Sequence, residues 1–116
     1  MRPPAPPECA DPHIDLPPLT DESVALIAKG IAHPTRIWIL QQFEDHEPLI
    51  AQDIVGGCEV AQSTLSGHLR ILREAGILHA TKDGPRIWYC LRRSVLRQFS
   101  AAIADLATES ALAGVR

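Results

Sequence analysis

The residues best suited to bind another molecule lie in the stretch 61–76, AQSTLSGHLRILREAG. Leucines at helical spacing give this stretch one apolar stripe, and small polar groups with one long cation occupy the opposite arc of a helical wheel. That arc contains Ser63, Ser66, Gly67, Arg70 and Glu74, with Gln62 near its start. Amides and hydroxyls can pair with base edges and phosphates, and Arg70 can contact a phosphate or pair with guanine. The stretch therefore fits the major groove of DNA; the alternative is an ordinary amphipathic helix with a solvated face.

Charge is distributed unevenly along the 116 residues, although the net charge is only −3. Residues 1–60 contain ten acidic side chains against three basic ones, whereas residues 70–97 contain seven basic side chains against Glu74 and Asp83. A basic half favours a polyanionic partner on one side of the molecule, and ordinary surface charge is the alternative interpretation.

Hydropathy and cysteine usage indicate a cytoplasmic protein without a membrane partner. No run reaches the ~18 apolar residues that span a bilayer, and the proline-rich N-terminus lacks the apolar core of a signal peptide. The three cysteines are odd in number and form no CxxC pair, so we expect reduced thiols rather than a disulfide framework. Seven of the ten prolines fall in residues 1–18, which we assign to an extended arm, and residues 19–113 are assigned to a single folded domain.

Helix signals begin directly after the arm. Thr20 supplies a capping oxygen, and acidic residues follow it in the first turn. The apolar face of this first helix consists of Val24, Ile27 and Ile31. His33 ends the helix because the residue before a proline disfavours helical geometry, and Pro34 can open a second helix that runs to about Phe43. The expected inward side chains of the second helix are Ile37, Leu40 and Phe43.

A helix-turn-helix follows the second helix. Residues 49–55 are predicted as a short helix with Ile50 and Ile54 inward. Two glycines at 56 and 57 end it, and residues 58–60 bend into the polar helix described above. Two short helices around a glycine-containing turn are typical of a DNA-binding helix-turn-helix.

A β-hairpin is predicted after the polar helix. Strands over 77–81 and 86–92 flank a turn at 82–85, where an Asp-Gly pair supplies the backbone freedom that a tight turn needs. A hairpin in this place is a wing, and Lys82 and Arg86 flank its tip, where a wing can contact backbone phosphates.

The last helix is predicted from about Ser94 to Ala113. It carries a continuous apolar stripe formed by Val95, Phe99, Ala102, Ile103 and Leu106. Because a small domain has little core left to cover such a stripe, we expect a homodimer built on this helix, with Val24 and Ile27 of the first helix alongside. Packing within the monomer is the alternative.

These elements together predict a mainly α winged helix-turn-helix with a small β-hairpin, in the order α-α-α-α-β-β-α, that dimerises through its first and last helices. Residues 22–92 resemble the ArsR/SmtB family of bacterial winged-helix repressors. The segments that carry the resemblance are AHPTRI from Ala32, AQSTLSGHL from Ala61, LREAGIL from Leu72 and RIWYCL from Arg86. The resemblance implies a homodimer that represses transcription from operator DNA and leaves it when an inducer binds.

The resemblance also suggests which side chains meet DNA. The positions expected to face the groove are Gln62, Ser63, Thr64 and Ser66. His68 matches a position near the phosphate backbone, but by its wheel angle it flanks the apolar face and is alternatively a packed histidine. Arg36 near the start of the second helix can reach a phosphate, with a surface ion pair as the alternative.

The sequence leaves the identity of the inducer open. The CxCxxC site of arsenic- and cadmium-responsive members is absent, and the last helix has no histidine for the zinc site of other members. Cys9, Cys58 and Cys90 remain, and soft thiolates suit trivalent arsenic or antimony, As(III) or Sb(III), and other thiophilic ions. Some members join an arm cysteine to one near the partner's helix-turn-helix, so the resemblance makes Cys9 and Cys58 a candidate pair of ligands. Cys90 and His13 are the two alternatives for a third ligand. The other interpretations are oxidation of the thiols by oxidants or reactive sulfur, and cysteines without a sensing role.

A DNA-binding repressor is the leading interpretation. A winged helix that only binds proteins is the alternative from another class, and the negative net charge favours it. No nucleophile–base arrangement, phosphate-binding glycine loop or paired-acid motif is recognisable, so we expect no enzymatic activity and no resident cofactor.

Overall fold

The computed structural model describes Cys9 and residues 18–44, 47–56 and 61–108. In this part of the chain the elements are α1 (Asp21–Ile31), α2 (Pro34–Gln41), β1 (Leu49–Ile50), α3 (Ala51–Val55), α4 (Gln62–Glu74), β2 (Leu78–Asp83), β3 (Arg86–Leu91) and α5 (Arg93–Ala107). The three strands form one antiparallel sheet in the order β1-β3-β2. The mainly helical winged helix-turn-helix is confirmed, with β1 as an added strand.

The boundaries of α1 and α2 follow local chemistry. The Thr20 hydroxyl accepts a hydrogen bond from the Ser23 backbone N–H at 3.1 Å, which satisfies one of the free donors of the first turn. His33 caps α2 in the same way, since its Nδ1 accepts from the Thr35 N–H at 3.1 Å, and Pro34 occupies the first helical position. Both predicted helix starts are confirmed.

The segment predicted as a helix over 49–55 divides into two elements. Leu49 and Ile50 form β1 and pair with Tyr89 and Trp88 of β3, and the helix begins only at Ala51. The helical prediction for Leu49 and Ile50 was wrong because a short apolar run fits a strand as well as a helix, and pairing with a distant strand decides between them.

The hairpin is tighter than its sequence suggested. Strands β2 and β3 stay paired from Leu78 opposite Leu91 to Asp83 opposite Arg86, so only Gly84 and Pro85 form the turn. Gly84 has φ of 60°, a left-handed conformation that glycine adopts without steric cost. Gly76, which follows α4, is also in the left-handed conformation, with φ of 79°.

The core lies between the helices and the inner face of the sheet. Its fully buried large side chains are Ile39, Phe43, Ile54, Leu65, Leu69, Leu72, Ile77 and Leu78. Ile27 is only 2% exposed and belongs to this core, so its predicted place in a dimer interface is wrong. Ile37, predicted to face inward, is 41% exposed, because α2 turns Ile39 to the core instead. Phe43, which follows the end of α2, is buried as predicted.

Helix α5 differs from the other helices in how much apolar surface it leaves in solvent. Val95 and Phe99 pack partly against the core, but Ile103 is 42% exposed and Leu106 is 82% exposed. The predicted helix end at Ala113 lies outside the described residues. Within the described part of the chain, no helix has the length and apolar character needed to cross a membrane.

Candidate nucleic-acid interface

The polar arc of α4 faces solvent. Its exposed members are Gln62, Ser63, Ser66, Arg70 and Glu74, and the neighbouring Thr64 is exposed as well. The leucines at 65, 69 and 72 are buried on the opposite side of the helix, so the predicted division of α4 into two faces is confirmed. A Cβ added at Gly67 would meet no atom within 4 Å, which leaves the middle of α4 open to a close partner.

An open groove of about 230 Å³ joins α4 to the wing. Gln62 and Ser66 of α4 line it together with Pro85, Arg86 and Ile87 of the hairpin, and β1 and α3 also contribute to its lining. Lys82, also on the hairpin, is exposed. The structure therefore brings the N-terminal half of the polar arc and the basic wing to one surface, which is a geometry that can place side chains against bases and phosphates together.

The basic residues of the second half do not all serve this surface. Arg93 forms an ion pair with Glu47 and donates to the Phe43 carbonyl at 2.8 Å, so it ties α5 to the segment between α2 and β1. This internal use could not be read from the charge pattern, which counts Arg93 with the residues that favour a polyanion.

Arg36 has an internal role that the sequence did not suggest. Its Nη1 donates to the carbonyls of Lys29 and Gly30 at 3.2 and 3.3 Å, and its Nε donates to His68 Nδ1 at 3.1 Å. The carbonyls belong to the last turn of α1, where backbone acceptors carry partial negative charge, and the Lys29 carbonyl also accepts from the Ala32 N–H at 3.3 Å. The phosphate contact expected of Arg36 stays a prediction, and its three hydrogen bonds are all within the molecule.

His68 is half-buried and lies between α4 and the start of α2. Its ring centroid is 4.6 Å from that of His33, with the planes tilted by 54°. Burial lowers the pKa of His68 below the ordinary value of 6.5, and the nearby His33 and Arg36 lower it further. The packed-histidine interpretation fits these contacts, with the guanidinium of Arg36 as the hydrogen-bond partner.

The cysteines are arranged differently from the expectation. Cys9 and Cys90 form a disulfide, with Cα atoms 5.6 Å apart and a sequence separation of 81. The expectation of reduced thiols was wrong here because an odd count excludes only complete pairing, and an arm can bring Cys9 to a distant strand. Cys58, the partner suggested for Cys9, lies outside the described residues. Those residues contain no group of three histidine, cysteine or acidic side chains able to hold a metal ion.

Five of the predicted dimer residues divide into two groups. Val24, Ala102 and Leu106 line a groove of about 440 Å³ between α1 and α5, together with Leu19 and other residues near the arm. Val95 and Phe99 instead contact the monomer core. Leu26 of α1, which the sequence analysis did not single out, is 49% exposed and lies outside this groove, beside Arg36 and Ile71.

Comparison with known proteins identifies the family. Residues 33–80 match the model of the bacterial regulatory protein arsR family. The uncharacterized HTH-type transcriptional regulator MJ1325 of Methanocaldococcus jannaschii is 35% identical over 68 residues, which are 59% of this chain and 76% of that protein. The biofilm growth-associated repressor of Agrobacterium fabrum is 32% identical over 68 residues, 59% of this chain and 57% of the relative.

A solved structure agrees in fold. The homodimeric winged helix-turn-helix DNA-binding domain Mb0332 of Mycobacterium bovis superimposes with a TM-score of 0.60 at 25% identity, covering 72% of this chain and 80% of that one. With the helix-turn-helix, the wing and the sequence match in agreement, the chain belongs to the arsR family of bacterial regulatory proteins, which are transcriptional regulators and not enzymes.

Proposed function

We propose that this protein is a dimeric repressor that inserts α4 into the major groove of operator DNA. The observation that carries the proposal is the shared groove of Gln62 and Ser66 with Arg86 of the wing. In this docking the base contacts come from Gln62, Ser63, Thr64 and Ser66. Arg70 contacts a base or a phosphate, and Lys82 and Arg86 contact phosphates on the flanking backbone.

The dimer is formed through α5 and the exposed side of α1. Leu106 and Ile103 leave apolar surface in solvent, and the related Mb0332 domain is homodimeric. Two copies related by a twofold axis present two α4 helices, which suits an inverted-repeat operator with half-sites about 34 Å apart. The protein acts on DNA in the cytoplasm.

The effector in this proposal is an oxidant that acts on Cys9 and Cys90. The disulfide between them supports this choice, because it requires that the two sulfur atoms can meet. Hydrogen peroxide accepts two electrons from the two thiols; one S–S bond forms, the O–O bond breaks, and the four hydrogen atoms leave in two water molecules. A thiol reductant reverses the step by thiol–disulfide exchange.

Oxidation lowers operator affinity through charge. Residues 1–18 carry Glu8, Asp11 and Asp15 against Arg2. The disulfide attaches this acidic segment to β3, the strand that begins at Arg86 on the wing. Negative charge joined covalently to β3 repels phosphates, and reduction of the disulfide removes this covalent link.

The experiment is fluorescence anisotropy of a labelled duplex from upstream of the protein's own gene. Reduced protein, peroxide-treated protein after peroxide removal, and reduced protein with trivalent arsenic are compared at one salt concentration. We expect oxidation to weaken binding about tenfold or more, an effect of about 1.4 kcal/mol. Cys90→Ser should abolish the response, and Cys58→Ser is the matched control that should keep it.

Three results would change the proposal. Equal affinity of reduced and oxidised protein removes the oxidant as effector. A response to arsenic that needs Cys9 and Cys90 but is independent of oxidation makes the same thiol pair a metalloid site. Loss of the arsenic response in Cys58→Ser would instead support a metalloid site formed by Cys9 and Cys58.

A further inference from the structure

One guanidinium connects three helices at the corner behind the recognition surface. Arg36 in the first turn of α2 reaches back to the last carbonyls of α1 and across to His68 on α4. Since α4 carries the side chains that are to meet DNA, any change in this connection acts on the position of that helix. The contact to His68 crosses 32 positions of sequence and is half-buried, so it is a tertiary contact and not a local one.

The contact to His68 exists in only one protonation state. Nδ1 accepts the hydrogen bond from Arg36 Nε, so it carries no proton, and a neutral ring with this geometry has its proton on Nε2. Protonation of Nδ1 would put an N–H donor against the guanidinium N–H and a positive charge beside another. The hydrogen bond would then be replaced by repulsion.

The ionisable groups around His68 come mainly from the α1–α2 corner. His33 and Arg36 at the start of α2 act on its charge, and burial disfavours the charged form as well, so its pKa is lowered. The charged or titratable groups on α4 itself and on the other elements packed against it are Asp21, Glu22, Lys29, Asp53, Arg70, Arg73, Glu74, His79, Lys82 and Asp83.

We propose that Arg36 and His68 are positioning residues that hold the recognition helix α4 to the α1–α2 corner, and that protonation of His68 releases this contact and weakens operator binding. The inference rests on the proposed docking of α4 on DNA. It makes acidification a second signal, independent of the cysteines, and it assigns Arg36 a role in setting α4 rather than in touching phosphate.

The rival role for His68 has the opposite sign. If the imidazole contacts a phosphate, protonation adds a favourable charge and operator affinity rises as pH falls. If the imidazole holds Arg36, operator affinity falls with pH. The direction of the pH dependence therefore separates a DNA-contacting histidine from a positioning one.

The first experiment needs no DNA. In ¹⁵N-labelled free protein, the ring nitrogens of His68 are followed by NMR from about pH 8 to about pH 5. We expect a neutral ring with the proton on Nε2 at the upper end and a pKa below 6.5. A proton on Nδ1 in the neutral ring, or a pKa above that value, overturns the proposal whatever the DNA-binding result is.

The second experiment measures operator affinity by anisotropy between about pH 8 and about pH 5.5 at constant salt, with the protein fully reduced. The wild-type affinity should fall by about fivefold or more on acidification. His68→Asn keeps an acceptor close to the place of Nδ1 and does not titrate, so its profile should lose this fall. His79→Gln removes an exposed histidine on β2 and should keep it.

The outcomes distinguish failure of the positioning role of Arg36 and His68 from failure of operator binding by α4. Rising wild-type affinity at low pH, or an unchanged fall in His68→Asn, overturns the positioning role. Arg36→Lys keeps the charge but loses the Nε donor, and it should weaken binding at high pH and flatten the profile. Absence of operator binding at every pH counts against the proposed function, while the NMR titration still decides the state of the Arg36–His68 contact.

Discussion

Helices α4 and α5 have similar amphipathic patterns and opposite uses. In α4 the leucine stripe is fully buried, so the polar face is what the helix offers to a partner. In α5 only the first half of the apolar stripe contacts the core, and its second half, with Ile103 and Leu106, stays in solvent. Periodicity predicts that a stripe exists; the surrounding elements decide whether the monomer or a second molecule covers it.

The largest effect is expected from shortening the buried stripe of α4. Leu69 is 1% exposed, so Leu69→Ala should lower the free energy of unfolding by about 2–5 kcal/mol through lost burial and a cavity. Urea unfolding followed by circular dichroism measures the change. The control is Arg70→Ala at the next position, whose side chain is exposed. Its free energy of unfolding should stay within about 0.5 kcal/mol of the wild-type value. A small effect of Leu69→Ala would mean that α4 is not anchored by its leucines.

The corresponding change on α5 should act on assembly. Leu106 is 82% exposed in the monomer, so Leu106→Glu should leave the fold intact and place a charge in the proposed interface. Sedimentation is expected to show dimers for wild type and monomers for the variant. Ala104→Glu is the matched control, because residue 104 lies on the opposite side of α5 and is exposed. A dimeric Leu106→Glu protein would place the interface elsewhere.

On the polar face of α4, Arg70→Ala should weaken operator binding by about 1–3 kcal/mol if Arg70 contacts a base. Discrimination against changed operator sequences should fall with it, because a base contact carries sequence information. Anisotropy with the operator and with single-base variants of it measures both effects. An unchanged affinity would show that α4 is docked differently from the proposal.

The wing should behave differently from α4. Lys82→Ala is expected to weaken binding by a similar factor on every sequence and to reduce the slope of log affinity against log salt by about one unit. A titration series over several salt concentrations measures the slope. If Lys82→Ala instead changed sequence preference, the wing would be reading bases.

The smallest effect concerns stability and pH. The pKa of His68 is lowered in the folded state relative to 6.5 in the unfolded chain, so the unfolded state binds the proton more strongly. The lowered pKa of His68 therefore adds to the free energy of unfolding at neutral pH. This added stability is fully present above pH 6.5 and is lost as pH falls through the folded-state pKa of His68. Urea unfolding across this range should show a larger loss for wild type than for His68→Asn, and parallel curves would contradict it.

Local signals in the sequence predicted the local structure. The Thr20 cap, the break at His33-Pro34 and the leucine stripe of α4 each depend on residues within one or two helical turns, and the structure confirms all of them. The wing was also recognisable, because the Asp-Gly pair at its turn lies between two alternating strands.

The features that the sequence did not predict depend on distant partners. Strand β1 exists because Leu49 and Ile50 pair with β3, the interior contact of Arg36 depends on His68, and Cys9 meets a strand 81 positions away. Ile27 was assigned to the wrong surface because periodicity marks an apolar face without saying which neighbour covers it. For the candidate site, residue types identified the exposed arc, but only the fold brought Gln62 and Ser66 to one groove with Arg86.

The most direct test of the central claim is a binding comparison with reduced wild-type protein on two duplexes of equal length. One comes from upstream of the protein's own gene, and the other has the same base composition in scrambled order. At about 0.15 M salt, the proposal predicts that the first duplex is bound about a thousandfold more tightly, with a steep salt dependence. Equal and weak binding to both duplexes would contradict an operator-reading role for α4 at that site.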